Sequence, residues 1–311
     1  MLKSDYEAYK PPEPTPITPK IANGQDVQLR NFSEVVRIQF ADDEGDSTCT
    51  GTIIARDSIL TAGHCGCGSG YRLDIQVGHP GPSSAKYVPL QLVDGPIVFP
   101  GYDCVHRAGI GRDLALFKIR PLEIDADGTP KLEDERNGEL IIVFPVIRSA
   151  ALVLDDPELR SLYIVGFGAT ESGELARNLQ GAPVALLSRD CRTGYYALSV
   201  CAMYREFVMG HSYADPSAAP ADTCGGDSGG PAYRMDGDLK ILFGGTIDQP
   251  SARTLVGVTS RALFGVNHPY PGYCGGGGIY TAVGTAPVLA WLRQHNVDFS
   301  YDPSPLAENP Q

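Results

Sequence analysis

The 311-residue sequence lacks a long apolar run, because no stretch approaches the roughly 18 apolar residues of a transmembrane helix. It also lacks an excess of basic residues: 25 lysines and arginines stand against 37 acidic residues, and the formal net charge is −12. Nucleic acids and anionic membranes both attract basic patches. We therefore expect no nucleic acid and no membrane among the partners.

The first ten residues, Met1 to Lys10, lack the apolar stretch that a secretory signal peptide needs. Two interpretations remain open: a signal peptide has been removed, or the protein stays inside a cell. Residues 11–19 are rich in proline, which predicts an extended, stiff segment that cannot join a sheet. We expect residues 1–20 to form a leader ahead of the folded domain.

Glycine and proline are abundant, with 36 and 25 residues, and the hydrophobic content of 42% suffices for a sizeable core. Alternating apolar residues predict short strands joined by many turns. These strands are expected at residues 35–40, 50–54, 73–77, 114–119, 140–144, 162–165, 239–243 and 255–259. One helix is predicted at Ala286–His295, and residues 300–311 are expected to be disordered. The pattern therefore favours an all-β protein.

The most informative segment is Asp222-Thr-Cys-Gly-Gly-Asp-Ser-Gly-Gly-Pro231, which places Ser228 in a glycine-rich turn. Glycine lets backbone N–H groups converge on an anion. A serine becomes a strong nucleophile only with a base and an orienting acid. His64, in Leu60-Thr-Ala-Gly-His-Cys65, and Asp113 are the candidates, and the order His, Asp, Ser is a known order for such a triad.

In these motifs the chain resembles the trypsin/chymotrypsin family of serine proteases, from about Ile21 to about Val297. The resemblance implies two six-stranded antiparallel barrels, with the active site between them and a C-terminal helix. It implies a protease domain at residues 21–299 whose two barrels divide near residues 120–140.

The resemblance also assigns roles in the site. Ser228 is the expected nucleophile, His64 the general base and acid, and Asp113 the group that orients the histidine. The backbone amides of Gly226 and Ser228 are expected to form the oxyanion hole. No cofactor and no metal are expected, and Gly78-His-Pro-Gly81 lacks the acidic start of the calcium loop of some trypsins.

Five residues correspond to the family's specificity region. Asp222 matches the floor of the primary pocket, where a carboxylate selects arginine or lysine; the other interpretation is a loop carboxylate in an insertion. Gly278 and Ala262 match the pocket walls, and the methyl of Ala262 leaves the choice between arginine and lysine open. Ser260 matches the serine that supports the aspartate, or is an ordinary strand serine. Arg261 replaces a tryptophan, which suggests acidic or polar upstream substrate residues.

Lys20-Ile21 resembles the family's activation junction, where cleavage frees an isoleucine amine. The new Ile21 ammonium is then expected to pair with Asp227 and shape the oxyanion hole. Either another protease or the enzyme itself makes this cut. Self-cleavage is an option because Lys20 fits the pocket for basic residues that Asp222 implies. The alternative is a leader that is never cleaved.

The resemblance implies three disulfides among the eight cysteines and leaves Cys67 and Cys104 as the remaining pair. The three pairs are Cys49 with Cys65, Cys191 with Cys201, and Cys224 with Cys274. Full use of the cysteines suits an oxidising compartment, so the protein is expected to be secreted or periplasmic. Eight buried thiols in a cytosol, or a zinc site at Cys65, Cys67 and His64, are the alternatives.

The resemblance thus implies a trypsin-like serine endopeptidase, made as a zymogen, that cleaves protein or peptide substrates after arginine or lysine. Two alternatives differ in class. One is a non-catalytic protease homologue that acts as a binding module. The other is an intracellular protease that a partner switches on.

Overall fold

The computed structural model describes most of the chain. The described residues are 21–27, 31–43, 45–77, 86–126, 129–134, 138–156, 159, 161–170, 172–191, 201–210, 221–235, 253–263, 268–271 and 274–303. The predictions for Lys20 and the leader, for Gly78–Gly81, for a strand at 239–243 and for most of the C-terminal tail lie outside these ranges.

The first strand, β1 (Gln25–Asp26), pairs with the second half of the fold, and the next seven strands form one antiparallel sheet. These strands are β2 (Val35–Asp42), β3 (Gly45–Ala55), β4 (Ser58–Thr61), β5 (Ser69–Val77), β6 (Lys86–Leu90), β7 (Leu92–Val98) and β8 (Ala115–Ile119). Their spatial order is β6-β5-β2-β3-β4-β8-β7. Only Gln91 separates β6 from β7, yet they pair with opposite ends of the sheet, so the sheet curls on itself.

A small three-stranded sheet follows along the chain, made of β9 (Glu123–Ile124), β10 (Pro130–Asp134) and β11 (Gly138–Ile141). The second half then begins. Its elements are β12 (Val146–Arg148), α1 (Ala150–Leu154), β13 (Ser161–Gly166), β14 (Gln180–Ser188), β15 (Glu206–Gly210), β16 (Pro231–Met235), β17 (Arg253–Ala262), β18 (Gly278–Ala282), α2 (Ala286–Gln294) and β19 (Tyr301–Asp302).

Six strands of the second half close into a barrel, because β13-β14-β15-β18-β17-β16 is a continuous order and β16 also pairs with β13. β12 extends β17 in parallel, and β19 extends β12. The predictions of an all-β fold and a C-terminal helix are confirmed, and the second half is a closed six-stranded barrel as predicted. The first half is a seven-stranded sheet curled into a half-barrel. The five-residue helix α1 was not predicted, because so short a segment carries no readable period.

All eight cysteines form disulfides, paired as the resemblance implied: Cys49–Cys65, Cys67–Cys104, Cys191–Cys201 and Cys224–Cys274. The zinc alternative is wrong, because Cys65 and Cys67 are both oxidised and offer no thiolate to a metal. Within the described ranges, no helix has the length and apolar character required to cross a bilayer.

Candidate active site

His64 and Asp113 meet where β4 ends and β8 begins, at one end of these two neighbouring strands. β4 and β8 are antiparallel neighbours with Thr61 opposite Ala115, so the residues after β4 face the residues before β8. His64 begins a short 3₁₀ turn just after β4. Its Nδ1 lies 3.0 Å from Asp113 Oδ2, and its backbone N–H donates to Asp113 Oδ1 at 2.9 Å. The carboxylate therefore holds both the ring and the backbone of the histidine.

Asp113 is buried, with 4% of its surface exposed, and it receives a third bond from the other half of the fold. Ser260 on β17 donates its hydroxyl proton to Asp113 Oδ2 at 2.6 Å. Burial alone raises the pKa of Asp113, but the His64 charge and the bonds from His64 and Ser260 outweigh it and lower the pKa below its ordinary value. The carboxylate is therefore the stable form at neutral pH.

The imidazole of His64 is 23% exposed and borders a cavity. Burial lowers the pKa of His64, but the charge of Asp113 and its hydrogen bond more than compensate, so the net pKa is raised. A histidine with this proton affinity, held in one orientation, is suited to general base catalysis near neutral pH.

Ser228 lies in a turn whose backbone requires glycine on both sides of it, at Gly226 and Gly229. Gly226 and Gly229 have φ angles of +97° and +82°, in the left-handed region. A Cβ on Gly229 would lie 2.3 Å from the carbonyl oxygen of Thr50. The turn packs this closely on the first sheet: the Ser228 carbonyl accepts the Thr50 N–H at 2.8 Å and lies 3.6 Å from Cys65 Sγ, next to His64.

The amides of the turn divide into two groups. Those of Asp227, Gly229 and Gly230 each donate to a backbone carbonyl. Within the part of the chain that the structure describes, the amides of Gly226 and Ser228 donate no such bond. The two amides that the resemblance assigns to the oxyanion hole thus both lack a backbone acceptor among the described residues, and the Gly225 amide lacks one as well.

Asp227 is fully buried, and its oxygens accept the backbone N–H groups of Gly168 at 2.7 Å and Cys224 at 2.9 Å. Burial raises the pKa of Asp227 to about 7, although both amides lower it. No cationic side chain among the described residues pairs with this carboxyl. Ile21 is fully buried, and the next residue, Ala22, packs against Cys224.

Asp222 is also buried, with 1% of its surface exposed. Its Oδ2 accepts the N–H groups of Gly275 at 3.0 Å and Gly277 at 2.8 Å, and its Oδ1 accepts that of Thr223 at 2.8 Å. Burial raises the pKa of Asp222 to about 7; these amides lower it, and the Asp227 charge raises it further. A buried carboxyl without a cation is suited to receive one from a ligand.

Ala262 and Gly278 are direct partners in the pairing of β17 with β18. A Cβ on Gly278 would meet Tyr280 at 3.3 Å and the Thr223 hydroxyl at 3.4 Å, so space beside this glycine is limited. The hydroxyl oxygens of Tyr280 and Thr223 lie 3.1 Å apart. The two wall residues therefore stand opposite each other on neighbouring strands.

A cavity of about 440 Å³ adjoins His64, with Tyr102, Ile110 and Arg261 among its lining residues. The Arg261 guanidinium donates to both oxygens of buried Glu206, at 2.7 and 3.0 Å. Because its charge is already compensated, Arg261 gives little reason to expect a preference for acidic substrate residues. Sequence reasoning missed Glu206, although an acidic residue that opens the apolar strand Glu206–Gly210 signals a buried charge in need of a partner.

Comparison with known proteins is consistent with this arrangement. A family model described as Trypsin matches residues 21–286. The chain is similar to "Serine protease 7" of Drosophila melanogaster, with 23% identity over 237 residues that cover 70% of this chain and 55% of that protein. It is also similar to "Trypsin-like protease" of Streptomyces glaucescens, with 28% identity over 193 residues, 60% of this chain and 59% of that protein. The matches thus span less than two thirds of each relative.

Proposed function

The chain belongs to the trypsin family, and from that premise we propose that it is a serine endopeptidase that cleaves peptide bonds after arginine or lysine. One observation carries the proposal: His64 Nδ1 lies 3.0 Å from a buried Asp113 that also accepts a hydrogen bond from Ser260. Such a set fixes the tautomer of the histidine and leaves its Nε2 free to take a proton.

The reaction follows from these groups. Ser228 Oγ attacks the carbonyl carbon of the substrate while its proton passes to His64 Nε2. The tetrahedral intermediate collapses as His64 gives this proton to the leaving amine, and an acyl-enzyme remains. Water then attacks the ester, with His64 again as base, and releases the acid and Ser228. Asp113 stays ionised throughout and stabilises the imidazolium.

The amides of Gly226 and Ser228 stabilise the negative oxygen of each tetrahedral intermediate. Support comes from the absence of a backbone acceptor for either amide within the described residues. Donors that are oriented before the reaction pay no reorganisation cost during it, and each typically contributes about 10²–10³ in rate.

Asp222 selects the residue before the cut. Its buried carboxyl accepts three backbone N–H bonds but has no cationic partner among the described residues. A guanidinium or ammonium from the substrate supplies the missing charge. Because Gly278 has no side chain, the limited space beside Tyr280 and Thr223 stays open for a long substrate side chain, and the methyl of Ala262 on the neighbouring strand narrows it.

Cleavage after Lys20 activates the enzyme. In the intact chain the Ile21 nitrogen is an uncharged peptide amide, and cleavage converts it to an ammonium. Ile21 is already buried, and Ala22 packs on Cys224, whose amide bonds to Asp227. An ammonium at Ile21 therefore enters the surroundings of a buried carboxyl that lacks a cation, and the ion pair fixes the turn of Ser228.

The four disulfides fit an oxidising compartment, so we place the working enzyme outside the cell or in a periplasm. Mass spectrometry of protein from its native host tests this. Oxidised cysteines with Ile21 at the N-terminus support it, whereas reduced cysteines with the leader intact favour an intracellular enzyme.

A fluorophosphonate probe tests the function itself. We expect covalent labelling of Ser228 after cleavage at Lys20-Ile21, little labelling before it, and none in Ser228→Ala. His64→Gln should lose labelling, while His295→Gln, at the end of α2, keeps it. Cleaved, folded protein that is not labelled would leave a binding module as the better explanation. A peptide panel with arginine, lysine or an aromatic residue before the cut then tests specificity.

A further inference from the structure

Arg261 and Glu206 form an ion pair behind the wall of the cavity beside His64. Arg261 Nη1 lies 2.7 Å from Glu206 Oε1 and Nη2 lies 3.0 Å from Oε2, so the planar guanidinium meets the carboxylate through two bonds. Arg261 stands on β17, and Glu206 begins β15. Glu206 is fully buried, so its charge depends on this partner.

Glu206 also holds the loop that carries Asp113. Its Oε1 accepts the N–H of Gly111 at 2.8 Å, and Gly111 lies only two residues before Asp113. Its Oε2 accepts the N–H of Ala202 at 2.7 Å. With two bonds from Arg261 and two from backbone amides, the carboxylate has four donors and little freedom to move.

Arg261 reaches Asp113 from the other side, through Ser260. Arg261 Nη1 lies 3.0 Å from Ser260 Oγ, and Ser260 Oγ lies 2.6 Å from Asp113 Oδ2. A guanidinium only donates hydrogen bonds, and a carboxylate only accepts them. The Ser260 hydroxyl therefore accepts from Arg261 and is left to donate its single proton to Asp113.

We propose that Glu206 and Arg261 are positioning residues for the catalytic set: Glu206 fixes the Asp113 loop, and Arg261 orients the Ser260 hydroxyl toward Asp113. This inference rests on the proposed protease function. It differs from a role in lining the substrate groove, because a positioning role also acts on substrates too short to reach the cavity.

The charges around His64 give the proposal a second readout. Burial lowers the pKa of His64, Asp113 raises it, and Arg107 and Arg261 both lower it, with a net rise. Tyr102 also lines the cavity. Removal of the Arg261 positive charge also leaves the negative charge of Glu206 without its partner. The lost positive charge and the unpaired negative charge both raise the pKa of His64 further.

The experiment compares Arg261→Gln with the wild-type enzyme after leader cleavage. We expect kcat for a single-residue arginine ester to fall about tenfold or more, as for a lost hydrogen bond to a charged group, with KM little changed. Proton NMR titration should show a raised pKa for His64, whose signal is assigned by its loss in His64→Gln. Arg261→Lys keeps the charge, so its titration should stay near that of the wild type while kcat still falls.

Ile110→Ala is the matched control, since Ile110 lines the same cavity and is 46% exposed. It should affect only peptides long enough to occupy the cavity. Unchanged ester turnover and an unchanged His64 titration in Arg261→Gln overturn the proposal, as does a loss confined to long peptides. If Arg261→Gln does not fold, wild-type ester turnover in Arg261→Lys overturns it. Wild-type protein that titrates normally but turns over no ester contradicts the protease function instead, because the titration does not depend on activity.

Discussion

Ser260 and Asp113 join the two halves of the fold through one short hydrogen bond. The hydroxyl on β17 of the closed barrel lies 2.6 Å from the carboxylate that precedes β8 of the first sheet. Both residues are buried. A bond of this kind fixes the relative position of the halves at the point where His64 needs a stationary carboxylate.

Replacement of Ser260 by alanine should therefore reduce both activity and stability. A hydrogen bond to a charged group contributes about 1.5–3 kcal/mol, so we expect at least a tenfold lower kcat/KM and a similar loss of unfolding free energy. The pKa of Asp113 should rise, because the Ser260 bond is one of the causes that lower it. Steady-state kinetics and urea unfolding measure the two effects.

Thr281→Val is the control for this change, since the Thr281 hydroxyl is buried and has no hydrogen-bond partner among the residues that the structure describes. Its loss should cost little. Equal effects of the two substitutions would mean that the loss of a buried hydroxyl, and not the bond to Asp113, is what matters.

Sequence motifs predicted those site residues that can be recognised from their immediate neighbours in the chain. His64, Asp113 and Ser228 each stand in a short segment of recognisable composition, and the structure brings His64 and Asp113 into contact. The contact of Arg261 with Glu206 escaped prediction, because the two residues are 55 positions apart and meet only after their strands both pair with β18. The periods of single strands carry no information about such a contact.

Asp222 should control the choice of substrate. Asp222→Asn removes the charge but keeps most of the volume, so a bound guanidinium loses the carboxylate that would neutralise it. Breaking a buried ion pair costs about 3–5 kcal/mol, and we expect kcat/KM for arginine peptides to fall by about 10²–10⁴. A panel of peptides with arginine, lysine or phenylalanine before the cut measures this.

Ala262→Gly is the companion variant, because Ala262 faces Gly278 across the strand pair. It should change the ratio of arginine to lysine cleavage without loss of the preference for basic residues. If Asp222→Asn keeps full activity on arginine peptides, a group other than Asp222 recognises the basic side chain of the substrate.

Two buried carboxyls should make the intact chain less stable as the pH rises. The pKa of Asp222 and that of Asp227 are each raised to about 7, so the folded state holds protons that the unfolded state releases near pH 4. The unfolding free energy then falls between about pH 4 and pH 7, by at most about 4 kcal/mol for each carboxyl, and levels off above that range. Ser228→Ala protein, which cannot cleave itself, is suited to the measurement.

Leader cleavage should remove the part of this pH dependence that belongs to Asp227. The Ile21 ammonium favours the ionised carboxyl and lowers its pKa. The stability advantage of cleaved over intact Ser228→Ala protein should therefore grow from pH 5 to pH 8 in urea unfolding. Asp227→Asn should abolish that growth, and Asp155→Asn, at an exposed position, should leave it unchanged. A constant advantage at all pH values would contradict the pairing of Ile21 with Asp227.

An ion pair between Glu34 and Arg253 joins the two halves; neither residue lines the cavity beside His64, so the pair should matter for stability alone. Glu34, just before β2, is fully buried, and Arg253 on β17 is 3% exposed. Arg253 Nε donates to Glu34 Oε1 at 2.7 Å, and the Tyr233 hydroxyl donates to the same oxygen at 2.6 Å. Arg253→Met leaves the Glu34 charge buried without a cation, which should cost about 3–5 kcal/mol of unfolding free energy.

The double variant Glu34→Met/Arg253→Met separates the cost of an orphaned charge from the net contribution of the pair. Because it removes both charges, we expect it to be more stable than Arg253→Met alone. Arg72→Met is the control: Arg72 pairs with Asp74 but its side chain is 61% exposed, so the change should cost less than about 1 kcal/mol. A double variant no more stable than Arg253→Met would mean that the cost of that change comes from lost packing between the two halves and not from the uncompensated carboxylate.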